Sequence, residues 1–552
     1  MNCRYLASGD QTVLVEFPEK ISPQINFRVR SFERLLKQCA LPAVKESLPA
    51  YRSLAVNYDP LKISFDELVR KLQAVELELT ETSQKGTRQI DIPVCYGGKW
   101  GPDLEFVARA NQLSPDQVVK IHSSGEYVVY FLGFSPGFPY LGGMSESIAS
   151  PRLDRPRSRV PAGSVAIGGS QTGIYSIEGP GGWRIIGRTP RVLFRPHDEA
   201  PFLIQSGDRV RFRPISESEF TSLGLTSPAM GLGLELNGKP VFEVRKPGLL
   251  STIQDGGRLG FQCQGVPTCG AMDRYALRLG NLLVGNPQGT AALEITVAGP
   301  ELQVLAPCQI AVAGGDLSPL INGAYLKPWE NHWIEPGQTL SFGSRRWGAR
   351  SYLCLRGGLA GDEIMGSCST DLNSRFGGFH GRRLEKGDIL YSRSFPGSVE
   401  PRIRRRVPAD LLRDYDERRT VRVIAGPQAD CFTQTEIDKL HSSEYRISPN
   451  ANRMGYFLEG FAIAAQKPEI ISDPVPFGAL QVLPGGQVVL LMADHQTVGG
   501  YPKIAVVITA DLPKVAQLNI GEKIRFRLAS LDLAHQLLRA QEAAIERGVL
   551  ID

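Results

Sequence analysis

One stretch of this sequence occurs twice, and that duplication limits what the chain can fold into. Lys120-Ile-His-Ser-Ser-Gly-Glu-Tyr127 returns as Lys439-Leu-His-Ser-Ser-Glu-Tyr445. Further landmarks follow in the same order and at nearly the same spacing. Val160-Pro-Ala-Gly163 answers Val475-Pro-Phe-Gly478, and Gly168-Gly-Ser-Gln171 answers Gly485-Gly-Gln487. Gly181-Gly-Trp183 answers Gly499-Gly-Tyr501, and Ser206-Gly-Asp-Arg-Val-Arg-Phe212 answers Ile520-Gly-Glu-Lys-Ile-Arg-Phe526. A period this long is a duplicated domain rather than a solenoid repeat. Two copies of one β fold are therefore expected, over about 90–214 and 420–528.

The remaining segments fall around the two copies. Residues 1–88 read as an α+β module. Thr12–Phe17 alternates as a strand, Ile25, Val29, Phe32 and Leu36 recur at helical spacing, and Leu54–Tyr58 is a second strand. Ser64 and Glu67 form a capping box ahead of Leu68, Val69 and Leu72. The order β-α-β-α predicts a ferredoxin-like two-layer unit. The expected domains are 1–88, a β domain at 89–214, a linker at 215–240, a further β-rich domain at 241–400, the second copy at 401–528 and a terminal helix at 529–552. The fold class is mainly β with an α+β N-terminal module. Dense Gly (58) and Pro (39) between short Val/Ile-rich runs agree with that class.

Charge and cysteine content narrow the function. The 62 basic against 57 acidic residues leave +5 over 552 residues, without the basic stripe a nucleic-acid binder shows. No apolar run is long enough for a membrane helix, and the start lacks a signal-peptide core. The nine cysteines form no C-x-x-C pair, and the seven histidines do not stand at ligand spacing near them, so no metal site is expected. Reduced thiols in a cytoplasmic protein are the simplest expectation.

Gly133-Phe-Ser-Pro-Gly137 matches the G-x-S-x-G nucleophile elbow, but Pro136 follows the serine and has no N–H for an oxyanion hole. A rigid turn is the better reading. The segment Met492-Ala-Asp-His-Gln-Thr-Val-Gly-Gly-Tyr-Pro-Lys503 gathers Asp494, His495, Gln496 and Lys503 beside an apolar strand. Asp494 is suited to accept hydrogen bonds from an amide or to act as a base. Its bland alternative is a turn-capping aspartate. Arg159, Gln171 and Arg188 are donors suited to a carboxylate or amide, and a surface ion pair is the bland reading of each arginine. His122 and His441 occupy equivalent places in the repeat, which favours a shared structural role. The candidate catalytic groups are Asp494 and Lys503, with His122 kept as a candidate beside its structural reading. The candidate substrate-binding groups are Arg159, Gln171, Arg188, Gln496, Tyr140 and Tyr501.

Phe134–Gly143 with Pro161–Gly173 resembles the B component of the prokaryotic ATP-dependent 5-oxoprolinase, a family that also holds the sporulation-kinase inhibitors. Pro247–Arg258, Gly270-Ala-Met-Asp-Arg274, Ala291–Ile295 and Asp494–Lys503 resemble the C component of the same enzyme. The resemblance implies that the repeated domains are cyclophilin-like barrels. It also implies a hydrolase component that opens the lactam of 5-oxoproline to glutamate, with ATP as cofactor and a separate A-type subunit as partner. Under that reading Asp494 positions the amide or water, Arg159 and Arg188 bind carboxylate or phosphate, and Gln171 and Gln496 orient the ring. Urea carboxylase uses a similar pair as its carboxyltransferase domain, so a component serving a separate biotin carrier is the enzymatic alternative. A non-catalytic regulator of a histidine kinase is the alternative of another class. The oligomeric state, a homo-oligomer included, is open at this stage.

Overall fold

The computed structural model describes residues 3–79, 88–155, 157–224, 238–394, 403–412 and 419–551. The N-terminal module is a four-stranded antiparallel sheet in the spatial order Arg4–Ala7, Thr12–Glu16, Ser53–Tyr58, Val44–Pro49. Val13, Val15 and Val56 pack under the helices Pro23–Gln38 and Phe65–Leu77 through Val29, Phe32, Leu36, Leu68 and Leu72. The alternate residues Leu14, Leu48 and Ala55 are buried on the opposite face. A strand covered on both faces reads Val-Leu-Val rather than apolar-polar, and Thr12–Glu16 is buried throughout. Four strands are present where the periodicity showed two. Arg4–Ala7 and Val44–Pro49 were missed because one lies partly exposed at an edge and the other opens with the polar run Lys45-Glu46-Ser47. The element order is therefore β-β-α-β-β-α.

Two closed seven-stranded barrels follow from the repeated sequence. In chain order, the strands of the first are Gln89–Tyr96, Tyr127–Leu132, Pro139–Gly142, Ser164–Gly168, Gln171–Ile174, Arg184–Arg188 and Arg209–Pro214. Those of the second are Thr420–Ala425, Tyr445–Ile447, Gly455–Glu459, Ala479–Val482, Val488–Leu491, Lys503–Val507 and Lys523–Leu528. Numbered within each copy, both close in the cyclic order 5-3-2-7-1-6-4. In each, the first and last strands form a parallel pair. The duplication visible in the sequence is thus repeated strand for strand in the topology.

Between the barrels lies a two-sheet unit. A six-stranded sheet built on Lys239–Lys246 and Glu301–Val304 faces a five-stranded sheet built on Ala292–Thr296 and Arg350–Leu355. Val241, Leu293, Leu302, Val312, Leu340 and Leu353 fill the space between them. The helix Arg274–Leu283 covers the outer face of the smaller sheet, with Asp273 capping it by accepting from Ala276 N–H. Of the linker expected at 215–240, residues 225–237 lie outside the described residues. Before them, Glu217–Leu223 is helical with Ser216 as its cap, and Lys239 already begins a strand.

The N-terminal half and the C-terminal half meet through buried polar contacts. Asp10 accepts from the Thr509 backbone N–H (3.0 Å) and hydroxyl (2.8 Å). Ser53 donates to Asp473, and Asn57 donates to Gln262 at 3.1 Å. The rigid turn at Ser135–Gly137 docks on the second half, Gly137 N–H donating to Gln264 O at 2.8 Å. The last helix, Leu531–Arg547, sits against both halves, with His535 Nε2 next to Asp10 O (2.9 Å) and the Tyr58 hydroxyl (3.3 Å). No helix among the described residues is long and apolar enough to cross a membrane.

Burial pushes the Asp10 carboxyl up, and the Thr509 donors pull it back only in part. Replacing Asp10 with Ala leaves the Thr509 N–H unanswered in a buried joint. That should cost about 1–3 kcal/mol of unfolding free energy, read from urea denaturation. An unchanged midpoint would remove this contact from the joint.

Candidate active site

A cavity of about 360 Å³ opens where the halves meet. One wall comes from the N-terminal sheet and its first turn, with Asp10, Leu48, Ala55 and Asn57. A second is Thr268, Met272, Arg274 and Arg278 from the two-sheet unit. A third is Val475, Phe477, Ala493 and His495 from the second barrel. Neither half encloses it alone. Small-molecule sites favour such junctions, combining apolar walls with a few polar groups.

Behind the second and third walls lies a charged network removed from solvent. Arg453, 4% exposed, donates through Nε (2.9 Å) and Nη2 (2.8 Å) to the two oxygens of Asp494. It also donates to Glu294 and, at 2.7 Å, to Gly270 O. Glu294 further accepts from the Tyr352 hydroxyl (2.7 Å) and Met272 N–H (2.9 Å). Arg350 approaches Glu294 at 3.9 Å and donates to Tyr456 and to Ala516 O. Two guanidinium groups thus face two carboxylates. Burial by itself would raise the Glu294 pKa, but Arg453 and Arg350 hold the carboxyl below the usual range. Burial likewise opposes the charge on Arg453, and Asp494 and Glu294 outweigh it.

A second polar cluster centres on Asp473. Lys503, with no exposed side-chain surface, pairs with Asp473 at 2.9 Å. Asp473 also accepts from Gln428 (3.1 Å) and Ser53. Nearby, Gln481 donates to Tyr501 O at 3.3 Å and accepts from Gln496 at 3.5 Å.

The nine residues expected from the sequence divide by position, and none of them lines the cavity. Asp494, Gln496, Tyr501 and Lys503 all belong to the second barrel: Asp494 stands between the cavity residues Ala493 and His495, Gln496 and the Tyr501 backbone meet at Gln481, and Lys503 pairs with Asp473. Asp494 has both oxygens taken by Arg453, so its carboxylate is turned inward. His122 is wholly enclosed in the first barrel, between the Tyr96 hydroxyl (2.8 Å) and Thr172 (2.9 Å), with Phe212 against its ring, the structural surroundings that its place in the repeat favours. Arg159 makes the surface ion pair, to Glu178 at 2.8 Å, with 74% of its side chain exposed. Arg188 donates to Ala162 O at 2.8 Å and lies over Trp100, also away from the cavity. Gln171 is buried in the first barrel with no partner for its Oε1 among the described residues. Tyr140 stacks on Phe131 at 4.4 Å and belongs to the aromatic contact between the barrels, beside Tyr51 and Val498.

Sequence reasoning missed Arg274, Phe477 and His495 as a group. All three stand inside recognisable motifs, but only the fold brings them to one cavity. Arg274 lies over the Phe477 ring at 5.7 Å, and His495 packs against the same ring at 6.4 Å. His495 Nδ1 donates to Gln496 O at 2.7 Å.

Two outcomes follow. Arg453→Met leaves Glu294 and Asp494 short of their shared cation and should cost about 3–5 kcal/mol in urea unfolding. A loss below about 1 kcal/mol on that scale would show that the network is not a joint. Burial pushes the His122 pKa from 6.5 down to about 3. The unfolded chain then binds a proton that the folded chain refuses, so stability falls as pH drops below 6.5, by up to about 1.4 kcal/mol per pH unit. His122→Asn should flatten that slope between about pH 6.5 and 4.5, and an identical slope would contradict the assignment.

Comparison with known proteins covers both halves of the chain. Residues 3–204 match the family model for the carboxyltransferase domain, subdomain C and D. Residues 264–528 match that for subdomain A and B. The first half is similar to the 5-oxoprolinase B subunit of Bacillus subtilis, 47% identical over 222 residues, covering 92% of that protein and 38% of this chain. The second is similar to the 5-oxoprolinase C subunit of Haemophilus influenzae, 35% identical over 304 residues, covering 94% of that protein and 54% of this chain. The crystal structure of TTHA0988 superposes with a TM-score of 0.82 at 34% identity, covering 94% of this chain and 99% of that one. The chain belongs to the carboxyltransferase-domain family that includes the B and C subunits of 5-oxoprolinase, and it carries the counterparts of both in one polypeptide.

Proposed function

We propose that this chain is the B–C component of an ATP-dependent 5-oxoprolinase, which opens the lactam of 5-oxoproline to L-glutamate together with a separate A-type subunit. One observation carries the reading. The counterparts of both subunits are fused, and their residues wall a single cavity: Asp10 and Asn57 from one, Arg274 and His495 from the other. The cavity suits a small amide.

A lactam carbonyl is a poor electrophile, and ATP supplies the driving force for its hydrolysis. The residues here do not fit a triphosphate. Among the described lining residues, the cations Lys45 and Arg278 are paired with Asp59 and Glu542, which leaves Arg274 as the one unanswered cation. The nucleotide is therefore assigned to the partner subunit, and no step on this chain is routed through it. The chain's own work is to bind and orient the lactam and to shield it from bulk water. Asp494 acts at one remove, holding Arg453 and the backbone beside His495. The cluster of Lys503, Asp473, Gln496 and Tyr501 fixes the loop that carries this wall.

The test combines the purified chain with a purified A-type subunit. ADP and glutamate should form one for one, and only when both proteins and 5-oxoproline are present. Absence of 5-oxoproline-dependent ADP formation would refute the reading. Carboxyl transfer from a biotinylated carrier in its place would move the chain to the carboxyltransferase role that the family model names.

A further inference from the structure

The charged groups on the cavity wall are answered, with one exception. Asp10 is satisfied by Thr509. Lys45 faces Asp59 at 3.9 Å, and Glu46 accepts from the N–H groups of Gly260 and Cys263. Arg278 is held by both oxygens of Glu542 at 2.6 Å. Among the charged side chains of the described lining residues, that of Arg274 alone has neither an ion pair nor a hydrogen bond, and its Nε is buried without a partner. Burial pushes its pKa down, the mark of a cation held away from water. An unpaired guanidinium in such surroundings weakens the fold, and a ligand anion would relieve the cost.

His495 supplies the second half of the pattern. Gln496 O can only accept, so the Nδ1 that meets it carries the proton. Burial lowers the imidazole pKa and favours the neutral ring. Its Nε2 is then an acceptor, and it makes no hydrogen bond among the described residues. The wall thus presents a fixed cation and a neutral acceptor, both packed against the apolar face of Phe477. That combination matches a small flat molecule with a carboxylate at one end and an N–H in its ring.

We propose that Arg274 binds the carboxylate of the lactam substrate and that His495 Nε2 accepts its ring N–H, with Phe477 packed against the ring. This rests on the 5-oxoprolinase reading and adds to it the residues that set specificity. A guanidinium can grip the carboxylate through two hydrogen bonds, which an ammonium cannot reproduce.

The test uses the full chain assembled with the A-type subunit. Arg274→Met should raise KM for 5-oxoproline about 30-fold or more, with kcat changed less than about threefold. Its ligand-free melting temperature should hold or rise, because an unpaired charge has been removed. A structural arginine would give the opposite, a lower melting temperature. Arg274→Lys keeps the charge and should fall between, with KM raised about 3- to 10-fold. His495→Phe keeps the ring contact but removes the acceptor, and should also raise KM. Michaelis constants within about threefold of wild type for both Arg274 variants, in an assembly that turns over 5-oxoproline, would overturn the proposal and leave the 5-oxoprolinase reading standing. No 5-oxoproline-dependent ATP hydrolysis by the wild-type assembly would refute that reading, and this assignment with it.

Discussion

Arg453 is the joint on which the rest of the site depends. Its partners Asp494, Glu294 and Gly270 lie 41, 159 and 183 residues away along the chain. Bringing them together inside the protein removes charges from water at high cost, and the cost is offset only when each guanidinium finds its carboxylates and the spare lone pairs find donors. Tyr352, Met272 N–H and Arg350 complete that condition around Glu294. The consequence is geometric. Ala493 and His495 flank Asp494, and Arg274 begins the helix four residues after Gly270, so one buried cation sets the distance between two cavity walls.

The duplication explains how the halves share a plan but not a task. Both barrels close in the same strand order, yet only the second turns residues to the cavity. Val475-Pro-Phe-Gly478 places Val475, Pro476 and Phe477 on the wall. Its counterpart Val160-Pro-Ala-Gly163 has no aromatic there, and Val160 packs instead into the aromatic contact between the barrels. The paired histidines diverge likewise: His122 bridges two side chains in the interior, whereas His441 meets a backbone oxygen, Phe526 O, at 3.2 Å. The first barrel thus serves the site indirectly. Its Ser135–Gly137 turn braces the loop at Gln264, beside the cavity residue Gln262.

What the sequence made legible was local. The helix Phe65–Leu77 begins where Ser64 was expected to cap it, its side chain accepting from Glu67 N–H at 3.3 Å. The repeat announced two like β domains because duplication preserves landmarks that need no partner to be read. Pairing across long separations was not legible. Arg453 stands outside every motif, and nothing near it marks its role. Asp494 lies between two cavity residues, but whether its carboxylate faces the cavity or the interior depends on an arginine from another strand connection. Arg159 and Arg188 looked like ligand donors because an arginine's type says nothing of what lies opposite. Arg274 was not singled out within its motif for the converse reason: its significance is the lack of a side-chain partner, which only the folded surroundings reveal.

The central claim is that the two halves share one substrate cavity. Hydrogen–deuterium exchange of the full chain with and without 5-oxoproline tests it directly. The account predicts that the ligand slows amide exchange together at residues 8–12 of the first half and at 268–278 and 493–497 of the second. Protection confined to one half, or falling on the outer face of the first barrel around Arg159 and Arg188, would contradict it.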